Sequence, residues 1–360
     1  MIDEHGEEED EKTKRDLDIL KKYHKKEIKS VKKIFMKKLL GIMVLFFYSS
    51  LQAAEPITFS NIKSRIKDIP EVAYNNTQNL LNSNRAKSNS VKLEIHVGPN
   101  TKLYFKDNEK YFKYGIALWA NFKQPSKYGA LFYSFKDKSW AASQYEKIIG
   151  RPDDGLIDAP CHNKRCSGAN SGMENNVDIG LGVFGIYGKD RSDPYRKGAI
   201  QIHEYTHAAQ AAHWIGKFSP NSEHQKISPC WIVEGQAHFA GLSASSSSFK
   251  KYKKIRKQQI KSHPVKGFTK FTKDTILEYY KNDIPRQCIG KPNYRLGYTL
   301  GLLTVEALSA IGGTESTMKI YEIVAKDNKN FNVAFKDVFG ITWNEAAPIL
   351  AEVVAKTRKK

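Results

Sequence analysis

The sequence predicts an α+β chain in which the strands come first and helices fill the C-terminal half. Three observations predict it. Apolar residues alternate at period two through Val91, Leu93, Ile95 and Val97, within a stretch from Ser90 to Phe105, and a second strand candidate runs from Gly129 to Phe135. A glycine-spaced apolar run from Val177 to Tyr187 reads as a further strand. From residue 198 onward the pattern turns helical and stays so.

Taken in order, residues 1–35 are a highly charged extension, and Met36 is the expected true start. Met36-Lys37-Lys38, the apolar stretch Leu39 to Tyr48 and then Ser49-Ser50-Leu51-Gln52-Ala53-Ala54 have the three-part form of a secretory signal peptide, residues 36–54. The apolar part is shorter than the roughly 20 residues of a membrane span. A signal anchor behind a Lys-rich cytoplasmic tail is the alternative. Residues 55–90 look helical and polar, and they open an N-terminal α+β region, 55–159, whose clearest helix is Lys138 to Ile149. Residues 160–360 form the second region. In it Thr299 to Ile311 is an amphipathic helix closed by Gly312-Gly313, and another helix runs to about Ala355. No internal repeat is present.

Composition bounds the class. The chain has 360 residues, 40% of them apolar, which is enough for one large domain or two lobes with a proper core. Its formal net charge of +20 favours anionic partners such as nucleic acid, lipopolysaccharide or acidic peptides. The densest basic run, Lys250 to Lys257, reads as a solvated helix face. No nucleic-acid-binding motif accompanies it, so weak attraction to anionic surfaces is expected and specific nucleic-acid recognition is not.

The chemistry is concentrated at His203-Glu204-Tyr205-Thr206-His207. On a helix, positions i and i+4 lie about 40° apart, so both imidazoles converge on one ion, while Glu204 is rotated by roughly 100° from His203 and sits beside it. Two histidines holding zinc with a carboxylate beside the bound water is the arrangement this spacing suits. The alternative is two unrelated histidines on a core helix. A catalytic zinc needs a third protein ligand. Glu234, in the apolar segment Trp231-Ile232-Val233-Glu234-Gly235-Gln236-Ala237, is costly to bury unless it meets a cation. Gly235 and Ala237 are expected to let its helix pack closely against the first. A structural carboxylate is the alternative for Glu234. His213, six residues after His207, is the competing ligand, but Gln210 stands where a helix-breaking glycine would be needed. An unbroken helix turns His213 away by about 240° net, which leaves it a surface or packing histidine. His238 shares a helical face with Glu234 and either supports a ligand or packs.

The chain has four cysteines, an even count that suits disulfides in an exported protein. Of three connectivities, Cys161–Cys166 with Cys230–Cys288 is favoured, because the second bridge would staple the Glu234 segment to the one that begins near Tyr298.

H-E-x-x-H followed by W-x-x-E-G-x-A resembles the gluzincin metallopeptidases, the peptidase MA-like clan that includes the aminopeptidase N type. The resemblance covers roughly residues 160–355, including the tail Phe331 to Ile341 and the helix after it. It implies a zincin-like fold with a mixed sheet. An edge strand then borders the cleft above the H-E-x-x-H helix, and the Val177 run is the strand in view. It implies one Zn2+ held by His203, His207 and Glu234, with Glu204 as general base. Tyr298, with Tyr294 as the second choice, would stabilise the oxyanion. Gly172-Met173-Glu174-Asn175 is similar to the G-x-M-E-N loop that holds a substrate amino terminus, although Ser171 replaces its first glycine. The resulting expectation is an exported zinc peptidase, periplasmic or secreted, that cuts peptide or protein substrates internally. An aminopeptidase of the same clan and a catalytically silent zincin-fold binding protein are the alternatives.

Overall fold

The computed structural model describes residues 55–360 apart from 163, 175–176, 217–227, 263–270, 283–293, 328 and 359–360, together with scattered positions between Lys14 and Lys32. The chain divides into two units, Met1–Pro56 and Ile57–Lys360. The described positions of the first between Lys14 and Lys32 are helical. The expected signal peptide, 36–54, and most of the charged extension lie outside the described residues. Among the described residues no single helix is long and apolar enough to cross a membrane.

The second unit is α+β and mostly helical. Its main sheet has the order β1-β2-β6-β5, where β1 is Lys92–Val97, β2 is Lys127–Tyr133, β5 is Ala169–Met173 and β6 is Ile179–Gly185. The first three are parallel and β5 is antiparallel. β2–β6 pairing joins the two regions on either side of residue 159 into one sheet. A separate two-residue ladder, β3 (Cys161–His162) with β4 (Arg165–Cys166), is closed by the Cys161–Cys166 disulfide.

Two sequence expectations about strands are corrected. The Val177 run is an inner strand, and the edge is β5, formed by residues taken for the loop ahead of it. The inner position accounts for the continuous apolar reading of β6, since a strand covered on both faces needs no polar side. The alternation from Ser90 to Phe105 ends as a strand at Val97. There the Asp137 carboxylate captures the following turn, accepting hydrogen bonds from the Asn100 backbone and side-chain amides and from Thr101.

Period-two alternation assigns the faces. Tyr128, Ala130 and Phe132 of β2 enter the large core, whereas Leu131 and Tyr133 meet α3 (Lys138–Ile149) on the other side. The large core is built by α1 (Ile69–Ser83), α2 (Asn108–Leu118), α4 (Ala199–Ala212), α5 (Cys230–Ser245) and the helices after them. α4 is the central helix, buried at every position except His207. It lies against β5 and β6, and the ring of Tyr205 meets Tyr128 at 5.0 Å. Trp119 donates its indole N–H to Thr206 at 2.9 Å. The helix begins at Gly198, whose φ of 116° is a conformation that favours glycine, and Gln201 Oε1 accepts the Gly198 N–H at 2.9 Å.

The remaining helices are α6 (Phe249–Ser262), α7 (Lys273–Asn282), α8 (Tyr294–Gly312), α9 (Ser316–Asp327), α10 (Phe331–Phe339) and α11 (Trp343–Arg358). α6 carries the lysine run on its outer side and is anchored from within by Arg256, whose guanidinium pairs with both oxygens of the buried Glu306. Trp231 stacks on Trp343 at 4.9 Å, which ties α5 to the C-terminal helix.

α5 packs between α4 and α8, and glycines set both approaches. The expectation that Gly235 faces the H-E-x-x-H helix is corrected, because it abuts α8: a Cβ there would lie 2.3 Å from the Gly301 backbone. The approach to α4 is made by Gly241, where a Cβ would fall 2.5 Å from the Ala199 carbonyl oxygen. Helical rotation explains the exchange. Gly235 is turned by roughly 100° from Glu234, whereas seven residues return Gly241 to within about 20° of it.

Gly301→Val is expected to lower stability by at least about 2 kcal/mol, because a side chain there meets the Trp231 carbonyl oxygen at 2.3 Å and neither helix backbone can yield cheaply. Urea unfolding followed by circular dichroism measures it. An unchanged midpoint would mean that α5 and α8 separate without cost.

Candidate metal centre

α4 presents His203 and His207 on one face, one turn apart, as the spacing requires. α5 delivers Glu234 to the same point. His203 Nε2 and His207 Nε2 lie 3.1 Å apart, and each is 3.5 Å from Glu234 Oε2. A tetrahedral ion with bonds of about 2.0–2.1 Å holds its donor atoms roughly 3.3–3.4 Å apart, so the triangle has the size of three corners of a zinc coordination shell. The donor set, two imidazoles and a carboxylate, is a zinc donor set as well. Glu234 Oε2 is buried and faces the two imidazole nitrogens, with no closer hydrogen-bond partner among the described residues. Among the described residues no other group of His, Cys, Asp or Glu converges in this way.

Electrostatics follow from burial. Glu204 lies next to the triangle on α4, and burial pushes its carboxyl up to about 7, against the pull of His207. A base poised near neutrality suits proton transfer at physiological pH. Burial works against charge on both Glu234 and His207, yet their mutual attraction prevails. It holds the Glu234 carboxyl well below the usual carboxylate range and raises His207 to about 9.

The surroundings are aromatic. Tyr298, near the start of α8, stacks on His203 with ring centroids 5.9 Å apart and 11° between planes. Tyr294 keeps its backbone in α8, and its side chain lies outside the described residues. His238 packs edge-on to both His203 (5.7 Å) and Tyr298 (5.6 Å), and its Nδ1 is 3.3 Å from the Tyr195 hydroxyl. It packs against the site.

His203, Glu204, His207, Glu234 and Tyr298 are therefore brought together, whereas His213 is not. Glu174 follows β5 directly, but one carboxylate oxygen accepts from Tyr145 at 2.7 Å and from Arg151 at 2.9 Å. His213 caps the C-terminal end of α4 and packs on Phe122 and Trp214, and burial pushes its imidazole down to about 4. Cys230 is disulfide-bonded, whereas Cys288 lies outside the described residues.

Sequence reasoning missed two neighbours of the site. Tyr195, in the short 3-10 turn Pro194–Arg196 ahead of α4, touches His203 and His238, and no local pattern announced it. Gln210 lies 3.0 Å from His207 Nδ1 through its side-chain oxygen. The i, i+3 spacing from His207 was the available signal for it.

Comparison with protein-family models, with curated proteins and with solved structures finds no match, so function is argued from the site alone.

Glu234→Ala is expected to weaken zinc binding by more than about 100-fold, since losing a ligand costs more than losing an outer hydrogen bond. His213→Ala should leave affinity unchanged. Chelator competition on the purified protein measures both, and the opposite pattern would assign the third ligand to His213.

Proposed function

We propose that this chain is a zinc-dependent peptidase that hydrolyses peptide bonds through an activated water. The observation that carries the reading is the 3.1, 3.5 and 3.5 Å triangle of His203, His207 and Glu234, with the buried carboxyl of Glu204 beside it. When bound, zinc supplies Lewis-acid activation of water and of the scissile carbonyl. The chain's own residues carry the remaining steps. Glu204 accepts the proton of the attacking water and returns it to the amine nitrogen as the C–N bond breaks. Tyr298 offers its hydroxyl to the oxyanion of the tetrahedral intermediate. A purely binding role gives no use to a buried base at this position.

Internal cleavage is favoured over removal of single N-terminal residues. The charge of Glu174, the carboxylate that would hold a free amino terminus, is already met by Arg151, and the same oxygen also accepts from Tyr145. Export is part of the same reading. It rests on the form of residues 36–54 and is supported by the Cys161–Cys166 disulfide, a bond at home in oxidising compartments.

Glu204→Gln is expected to keep its zinc and to lose roughly 10²–10⁴-fold in peptide hydrolysis. Turnover of a mixed peptide library, read by mass spectrometry with and without chelator, checks this. A wild-type chain that binds zinc but cleaves nothing in that library would favour the binding-protein alternative.

Tyr298→Phe should lower kcat by about 10²–10³-fold with KM little changed, the pattern of an interaction made only in the transition state. Equal losses in kcat and binding would instead make Tyr298 a wall of the cleft.

A further inference from the structure

Three buried polar side chains continue from the His207 ring as a hydrogen-bonded chain. His207 Nδ1 lies 3.0 Å from Gln210 Oε1. Gln210 Nε2 lies 3.0 Å from the Val233 carbonyl oxygen and 2.7 Å from Gln236 Oε1, and Gln236 Nε2 lies 2.9 Å from Thr317 Oγ1. Gln210, Gln236 and Thr317 are essentially inaccessible to solvent. The orientation of each amide follows from chemistry. A backbone carbonyl only accepts, so the Gln210 atom facing Val233 must be the NH2 group. Its oxygen therefore faces His207, and an amide oxygen also only accepts. The hydrogen on this bond must then come from His207 Nδ1. An imidazole that carries its proton on Nδ1 has its lone pair on Nε2, and Nε2 is the atom in the triangle with His203 and Glu234.

We infer that Gln210 is a positioning residue for the metal centre: its amide oxygen holds His207 as the Nδ1–H tautomer and aims the Nε2 lone pair at the ion. The inference rests on the metal-centre reading and adds a specific cause for its geometry. Gln210 also acts on the second ligand-bearing helix. Its NH2 group grips the carbonyl of Val233, the residue before Glu234, so one side chain references a ligand on α4 to the backbone beside a ligand on α5. Gln236 extends the chain to Thr317 on α9, leaving no amide group of the series without a partner. A glutamine suits this place better than a carboxylate. It accepts from the imidazole and donates to two acceptors at once, and it adds no second negative charge next to Glu234.

The test compares Gln210→Met, which keeps the volume but offers no acceptor, with Gln210→Glu. A glutamic acid in this buried place is favoured in its neutral form, which still accepts from His207 and still donates one hydrogen bond. Zinc affinity is measured by chelator competition on wild type and both variants, with thermal unfolding to establish that each is folded. Gln210→Met is expected to bind zinc about 10–100-fold more weakly, and Gln210→Glu to stay within roughly threefold of wild type. Long-range 1H–15N spectra of the zinc-loaded wild type provide a readout that needs no variant. They should show His207 with a slowly exchanging Nδ1–H and Nε2 as the ligand. Wild-type affinity in Gln210→Met, equal losses in the two variants, or a His207 without that proton would each overturn the positioning role while leaving the metal centre standing. A wild-type chain that binds no zinc would overturn the metal centre, and this inference with it.

Discussion

The structure depends on the burial of one carboxylate, Glu234, between two helices. A charge taken out of water costs several kcal/mol unless something opposite meets it. In this chain the opposing groups are His203 and His207, at 3.5 Å each, and any ion they share with it. That requirement fixes how α4 and α5 lie against each other. It also makes the pair sensitive to its contents, since removing one partner leaves the other charge stranded in the core.

Much of the remaining architecture serves this contact. The sheet supplies a wall for α4 through Tyr128, and the edge strand β5 runs along the same helix. On the far side, α5 is pressed between α4 and α8 at backbone distance, through Gly241 on one face and the Gly235–Gly301 pair on the other. Such spacing leaves no room for side chains to cushion movement, so the Glu234 carboxylate is placed by main-chain contacts. α8 then brings Tyr298 over His203. The same packing that excludes water from Glu204 lifts its carboxyl to about 7, so one act of burial both gathers His203, His207 and Glu234 and raises the carboxyl beside them.

The site shows why local and distant contributions differ in kind. His203, Glu204 and His207 are related by helical rotation alone, and any helix through residues 199–212 places them as observed. Glu234 was legible by a different route, because a carboxylate among Trp231, Ile232 and Val233 demands a cation wherever the chain takes it. Tyr195 and Glu174 had no such local logic. Tyr195 reaches the site from a 3-10 turn, while Glu174 is drawn to Tyr145 and Arg151, 29 and 23 residues earlier in the chain.

The sequence by itself therefore determined what rests on short-range periodicity: the α+β class, strands near Lys92, Lys127 and Ile179, the helix from 138 to 149, and the two histidines that face one another across one turn of α4 with Glu204 beside them. Tertiary structure decided what depends on which surfaces meet. It put β5 at the sheet edge in place of the Val177 run, because strand order is a property of pairing partners and not of any one strand. It gave Gly241 rather than Gly235 the approach to α4, and it made Gln210 a partner of His207 and Val233 together. The physical reason is common to all three. Rotation about a helix and alternation along a strand are local and repeat without reference to the rest of the chain, whereas the identity of the neighbour is settled only when distant segments have packed.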